Sequence, residues 1–467
     1  MSYDTPAAVL ANYIATARFE QLPPAVVGWF QTLVEDNLGC SLGALALAEV
    51  SPVLELAGAE GGVPAALAIG ARETSISSAV FCNSQVANAL DFDDTYDSHS
   101  PSHPGCLIIP TALAVAESVG ASGRALLTAV TVAYEVALRV GRALGNRLWN
   151  SGTPWKGVAE LAAAIAAAKL YELDAEQLRA IFSMVSLEAG DFGTQTRRRS
   201  KSDLPPRVHF GRLKANFGSF AQSGLWIALK ARATLTGFAG LLEGGFEEWY
   251  LAGLPEAGFE YLTGQLGEEY LCTKVSLKPT PSCRWTHQPI TAVWSALGDR
   301  RLDAAHVTRI RILGVPRLER TNWSGVFDAQ YSIPCAVALA ASGIVPGPEW
   351  YASGVYKSHA IVELAAKVVQ ERDPDVEAFE MCRGRITCRV EIGLKDGMTL
   401  QAECQSAKGS TENPLSEAER QAKFAANTAH LDGRAHAVKQ AVRGLTHALT
   451  VDELKVALVR AVDGAKG

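Results

Sequence analysis

From Arg124 to Leu144 the chain reads RALLTAVTVAYEVALRVGRAL, and from Leu161 to Tyr171 it reads LAAAIAAAKLY. Apolar residues recur every three to four positions in the first stretch, and the second is mostly alanine. Alanine is the best helix former, and its small side chain lets helices pack closely, so both stretches predict buried helices of a bundle. Working outward, the same texture covers residues 1 to about 270. Asp174, ahead of AEQLRAIFSMV with Glu176 and Gln177 in the first turn, marks one helix start. Residues 191–218, DFGTQTRRRSKSDLPPRVHFGRLKANFG, break the pattern with a long Gly/Pro/Arg-rich loop, a kind that tends to be functional or mobile inside a compact domain.

The texture changes near Leu271. Thr273–Leu277, Val307–Leu313 and Ile386–Leu394 alternate with the period of two expected of strands. Asp396-Gly397 then separates Ile386–Leu394 from Met398–Cys404, which is hairpin turn chemistry. Helical patterns lie between, at Pro289–Leu297, Ser332–Ala341 and Ala360–Gln370, and helix returns at Ser416–Asn427 and Val451–Val462. The expected fold is mainly α: a large all-helical bundle domain formed by residues 1–270 and 410–467, with a smaller α+β domain, 271–409, inserted into it.

Composition bounds the function. The chain has 467 residues, 48% hydrophobic and 20% charged, which excludes disorder and predicts a large core. A net charge of −6 is the wrong balance for a protein whose main work is on nucleic-acid backbone. Nine cysteines without a Cys-x-x-Cys pair suit neither a disulfide framework nor a structural zinc site. The N-terminus lacks a basic region followed by an apolar core, and the most apolar long stretch, Tyr331–Pro348, is interrupted by Pro334, Pro346 and Pro348. These features predict a soluble cytoplasmic protein with reduced thiols and no membrane or nucleic-acid partner.

The densest chemistry is Asp91-Phe92-Asp93-Asp94-Thr95, followed by Asp97, His99 and His103-Pro104-Gly105. Carboxylates this close raise one another's pKa, as a general acid or base near neutrality requires, and a His beside a carboxylate has its tautomer fixed. A solvated turn capping the next helix is the plainer alternative. A metal site is another, although the stretch lacks the Gly and terminal Glu of a calcium loop. A second cluster, Lys278, Ser282, Cys283, Arg284 and His287, lies in a proline-stiffened segment suited either to clamping a carboxylate or to interdomain salt bridges. Nothing marks Cys283 as an activated thiol. A third runs from Arg197 to Lys214, seven basic residues against the single acid Asp203, and is either a solvated loop or an attractor of anionic substrates.

ANALDFDDT (87–95), SHPGCLIIPTALAVAE (102–117), ALLTAVTVAYEVALRVGRAL (125–144), KPTPSCRWTH (278–287) and ENPLSEAERQAKF (412–424) together resemble the MmgE/PrpD family, in order and over nearly the whole chain. The resemblance implies a helical domain with an α+β lid, a homodimer, an active site between the two, and proton abstraction next to a carboxylate of a small di- or tricarboxylate. It assigns Asp91 and His103 as the acid/base pair, Asp94 and Thr95 as positioning groups, and His287 as a second acid/base candidate. Lys278, Arg284 and Lys214, with Ser282 and Cys283, bind substrate. No cofactor and no metal are expected.

Dehydration of a citrate-like acid is the expected outcome, with epimerisation or decarboxylation by the same proton abstraction as alternatives. A metal-dependent hydrolase or a non-catalytic binding protein stands further off. Three departures from the family pattern argue against efficient decarboxylation of cis-aconitate: the eight-residue step from Thr95 to His103, Thr153 where relatives carry a His, and Cys335 where they carry a Tyr. Tyr331, four residues earlier, is the expected substitute phenol.

Overall fold

The computed structural model describes residues 5–60, 62–97, 103–144, 153–189, 216–237, 261–315, 323–371 and 387–463. The protein is mainly α with a small β component. The first half supplies α1 (Pro6–Thr16), α2 (Pro24–Ala44), α3 (Ser51–Ala59), α4 (Ile76–Ala87), α5 (Gly105–Val119), α6 (Gly123–Leu144), α7 (Thr153–Leu170), α8 (Ala175–Ala189) and α9 (Phe217–Arg232). Asp174 starts α8 with reciprocal bonds: its carboxylate accepts from Gln177 N at 2.9 Å, and its own amide donates to the Gln177 side chain at 3.0 Å.

The alanine run sits at the centre. Ala162 to Ala168 are buried in α7, which packs against α5, α6 and α9. The approach of α9 depends on Gly224, where a Cβ would stand 2.4 Å from the Glu160 carbonyl oxygen. One element has no signature in the sequence: a short antiparallel hairpin of β1 (Ala66–Leu67) and β2 (Glu73–Thr74). Strands of two residues carry too little alternation to be read.

The later part supplies α10 (His287–Leu297), β3 (Val307–Leu313), α11 (Val326–Gln330), α12 (Ile333–Ala341), α13 (His359–Ala365), β4 (Val368–Glu371), β5 (Cys388–Leu394) and β6 (Thr399–Cys404). The four strands form one sheet in the order β4-β3-β5-β6, with β3 and β4 parallel and the other pairs antiparallel. The β5–β6 hairpin turns at Asp396-Gly397, where Gly397 takes φ +88°. Two expectations need correction. Thr273–Leu277 is no strand: residues 271–274 form a 3-10 turn, and Ser276 makes a single bridge to Thr95. The helix expected over Ala360–Gln370 ends at Ala365, because Val368 and Val369 pair with β3.

The chain then returns to the helices through α14 (Glu417–Thr428), α15 (His436–Gly444) and α16 (Asp452–Asp463). α14 and α15 pack on α2, and their apolar residues join the core of α1–α9, while a second core surrounds the sheet. Among the described residues, no single helix is long and apolar enough to cross a membrane. The eight described cysteines are buried thiols.

Candidate active site

Residues 88–97 link the end of α4 to the approach to α5, and groups from far along the chain hold them. Asp91 has φ +52°, the left-handed region that Asp tolerates better than most side chains. The backbone of the 89–95 segment around it is pinned at four points. Lys278 Nζ donates to Asp91 O at 2.9 Å, and Lys423 Nζ, from α14, donates to Phe92 O at 2.8 Å. Gln330 Nε2 donates to Ala89 O at 2.8 Å, and Thr95 and Ser276 exchange backbone bonds of 2.9 and 2.7 Å.

The side chains form a graded array. Asn88 Nδ2 donates to Asp93 Oδ1 at 2.8 Å, and Asp93 Oδ2 lies 3.0 Å from His103 Nδ1. Asp93 is fully buried, so the carboxylate orients the ring and favours the tautomer with the proton on Nδ1. That leaves Nε2 as the basic nitrogen, facing Asp91 Oδ1 at 4.0 Å, with about 21% of the His103 side chain exposed. Phe217, at the start of α9, packs edge-to-face with the imidazole, with centroids 5.5 Å apart. Asp91 Oδ1 in turn accepts a hydrogen bond from the buried Lys278 ammonium. Burial alone pushes the Lys278 pKa down, but Asp91 and Asp93 outweigh it and the net shift is upward, so the ammonium stays charged.

Asp94 faces the other way. Its carboxyl accepts from Gly105 N at 3.0 Å and from Tyr134 Oη at 2.9 Å, tying the loop to α5 and α6. Burial, then the neighbouring Asp93, pushes its pKa up to about 8. The glycine of His-Pro-Gly is required here, because a Cβ on Gly105 would stand 2.1 Å from Asp94 Oδ1.

The second cluster is brought against the first. Arg284 closes a fork on Asp97, with Nε 3.0 Å from each carboxylate oxygen and Nη2 2.6 Å from Oδ2, and Ser276 Oγ donates to the same Oδ2 at 2.7 Å. Arg284 Nη1 donates to His287 Nδ1 at 2.9 Å, and His287 Nε2 donates to Ser282 O at 3.2 Å. Burial, then Arg284 and Lys278, holds His287 well below the usual imidazole pKa, so it is neutral with both nitrogens engaged. The Ser282 hydroxyl lies between those of Thr280 and Thr286, at 3.1 and 2.6 Å, and Thr286 donates to Cys283 O. Cys283 is buried beside them. The structure thus brings Asp91, Asp94, Thr95, His103, Lys278, Ser282, Cys283, Arg284 and His287 into one region, with Lys278 and Arg284 ion-paired to the 91–97 segment. Lys214 and the basic loop lie outside the described residues.

Asp91, Asp93 and His103 offer ligand atoms within 4.8 Å of one another, a grouping that suits a metal ion. The Lys278 ammonium already places positive charge on Asp91 Oδ1. Asp93, as the partner of His103, received no separate role in the sequence, although it stands two residues from Asp91. Lys423 has no role in the sequence reading; its signal is a lysine flanked by apolar residues inside ENPLSEAERQAKF. Cys335 is fully buried, and Tyr351, whose hydroxyl donates to Pro281 O, is a phenol close enough to interact with it electrostatically. Burial, then Cys335, Asp91 and Cys283, holds that phenol well above its usual pKa. Thr153 begins α7, and its side chain is outside the described residues.

The family model for the MmgE/PrpD N-terminal domain matches residues 8–257, and that for the C-terminal domain matches residues 280–446. The chain is similar to cis-aconitate decarboxylase of Homo sapiens, 25% identical over 380 residues, covering 76% of this chain and 73% of that protein. It is similar to the mouse (Mus musculus) enzyme of the same name, 26% identical over 381 residues, with 76% and 72% covered. A third relative, cis-aconitate decarboxylase of Aspergillus terreus, is 25% identical over 260 residues, with 52% and 50% covered. With both family models matched in order across most of its length, the chain belongs to the MmgE/PrpD family.

Proposed function

We propose that this chain is a lyase that removes a proton next to a carboxylate of a small di- or tricarboxylate, with dehydration of a citrate-like acid as the outcome. The observation that carries the reading is the array Asp93–His103–Asp91–Lys278: an oriented, partly exposed imidazole whose basic nitrogen faces a buried carboxylate–ammonium pair. A proton beside a carboxylate is weakly acidic because the carbanion adds negative charge next to an existing one. In this reading His103 Nε2 takes that proton, and Asp93 stabilises the imidazolium that forms. The positive charge of Lys278 stabilises the enolate-like state. The leaving hydroxyl departs as water with the proton that His103 took, handed on beside the facing Asp91 carboxylate, so that His103 ends neutral and Lys278 stays charged. Arg284 serves as the carboxylate anchor by exchanging Asp97 for substrate. The inserted-lid arrangement and the homodimer belong to the same reading, and light scattering in solution checks the dimer.

Decarboxylation of cis-aconitate is the second reading, favoured by the activity named for the similar human, mouse and fungal proteins. The same groups then protonate the carbon left by carbon dioxide. Against it stands Cys335, a buried thiol where the family pattern has a phenol.

Incubation with citrate-like and aconitate-like acids in deuterated water, followed by NMR, distinguishes these outcomes. Dehydration yields a vinyl proton signal, decarboxylation yields itaconate, and epimerisation yields exchange with inversion. Itaconate at an ordinary enzymatic rate transfers the conclusion to the second reading, and absence of exchange with every acid refutes proton abstraction. Loss of activity in EDTA, with a stoichiometric ion in the protein, would put a metal in the Asp91–Asp93–His103 grouping instead. His103→Asn and Asp91→Asn are each expected to lower turnover by ~10²-fold or more, and near-normal turnover in both removes their assignment.

A further inference from the structure

Lys423 lies on α14 and is 6% exposed, with three partners within reach of its ammonium. Asp36 Oδ1 on α2 is 2.6 Å away, Phe92 O is 2.8 Å away, and the Phe92 ring centroid is 4.3 Å away. A lysine needed only to join α14 to α2 would be satisfied by Asp36 and its remaining hydration. This one is aimed further inward, at the backbone of the segment that carries the candidate acid/base groups. The carbonyl it holds belongs to the peptide between Phe92 and Asp93, while Lys278 holds the carbonyl of the preceding peptide, between Asp91 and Phe92. Two buried ammoniums from distant parts of the chain therefore fix the two successive peptides that separate Asp91 from Asp93. Those peptides set how the two carboxylates are aimed at the two nitrogens of His103, starting from a residue already in the left-handed region.

We propose that Lys423, with Asp36 as its counter-ion, is a positioning residue: it holds the Phe92–Asp93 peptide and so sets the aim of Asp91 and Asp93 at His103. The proposal rests on the proton-transfer reading above only for its kinetic consequence. Its geometric consequence stands without a substrate. Misplacing reacting groups by an ångström costs up to about 100-fold in rate without a matching loss of substrate affinity.

The test uses full-length Lys423→Met, Lys423→Arg and Asp36→Asn, with two readouts. Amide hydrogen exchange in the unliganded protein should rise about tenfold or more across residues 90–95 in Lys423→Met, with the α7 core unchanged. With the acid that turns over in the NMR experiment, kcat should fall about 10- to 100-fold while KM stays within about threefold. Lys423→Arg keeps the charge and two donors and should recover most of both signals, and Asp36→Asn should move both in the direction of Lys423→Met. Wild-type kcat and wild-type exchange in folded Lys423→Met overturn the proposal. So does exchange that rises equally throughout the helices, or a Lys423→Arg variant as impaired as Lys423→Met. If Lys423→Met does not fold, Asp36→Asn decides, and unchanged exchange at residues 90–95 overturns the proposal. A wild-type protein inactive on every polycarboxylate sinks the lyase reading, while the exchange arm still decides the clamp.

Discussion

Asp94, beside the reactive cluster, ties its loop to α5 and α6 through Gly105 and Tyr134. Its folded pKa of about 8 stands well above the ~3.9 of an unfolded Asp. Below about pH 4 both states are protonated and the group's contribution to stability is fully present and independent of pH. Between about pH 4 and 8 the unfolded chain releases this proton and the folded protein keeps it, so the group's contribution to stability falls as pH rises, by at most about 1.4 kcal/mol per pH unit. Above pH 8 the folded carboxyl also ionises and the loss stops growing. Asp94→Asn retains an acceptor for Gly105 N and has no proton to lose. Urea melts at pH 5, 6.5 and 8 should therefore show the wild type losing stability relative to Asp94→Asn over this range; parallel curves would contradict the raised pKa. The same residue explains why Gly105 cannot carry a side chain.

At the scale of elements, α6 joins the candidate site to the chain that follows the helices. Tyr134 reaches Asp94, and one residue on, the buried Glu135 pairs with Arg139 at 2.6 Å. Arg139 also donates to the carbonyls of Tyr261, Gly264, Gln265 and Glu269, bracing the turn that leads to Lys278. Arg139→Met should destabilise the protein by about 3–5 kcal/mol, because it leaves Glu135 buried without its cation. Arg139→Met with Glu135→Gln should recover part of that loss in denaturant melts, and no recovery would show that packing, not the pair, carries the effect. The elements themselves were legible where local pattern decided them: the helices of the alanine-rich half, β3, and the Asp396-Gly397 hairpin. Thr273–Leu277 alternates well enough for a strand, yet only one rung forms, since its partner Thr95 lies in an irregular loop. In the site, Asp91 and His103 were legible because the cluster is local in sequence. The partnerships Asp93–His103, Arg284–Asp97 and Lys423–Phe92 were not, because composition does not say which cation meets which acceptor.

Across the whole molecule, the candidate site is an assembly of separations. Lys278 meets Asp91 over 187 residues, Gln330 meets Ala89 over 241, and Lys423 meets Phe92 over 331. The helices around α7 close mainly over shorter spans and bury most of their surface against one another. Bringing residues hundreds of positions apart together costs loop entropy before any contact rewards it, and chains of this size fold through intermediates. Refolding from urea should therefore regain far-ultraviolet circular dichroism before it regains turnover, and coincident recovery of the two signals would refute this order. The twin lysine clamp thus carries a temporal meaning as well as a spatial one. A growing chain has Asp91, Asp93 and His103 in hand early, yet they stay chemically unaimed until residue 423 has been synthesised and has found its place. A nascent or truncated chain that stops short of Lys423 can be helical and compact while remaining catalytically silent.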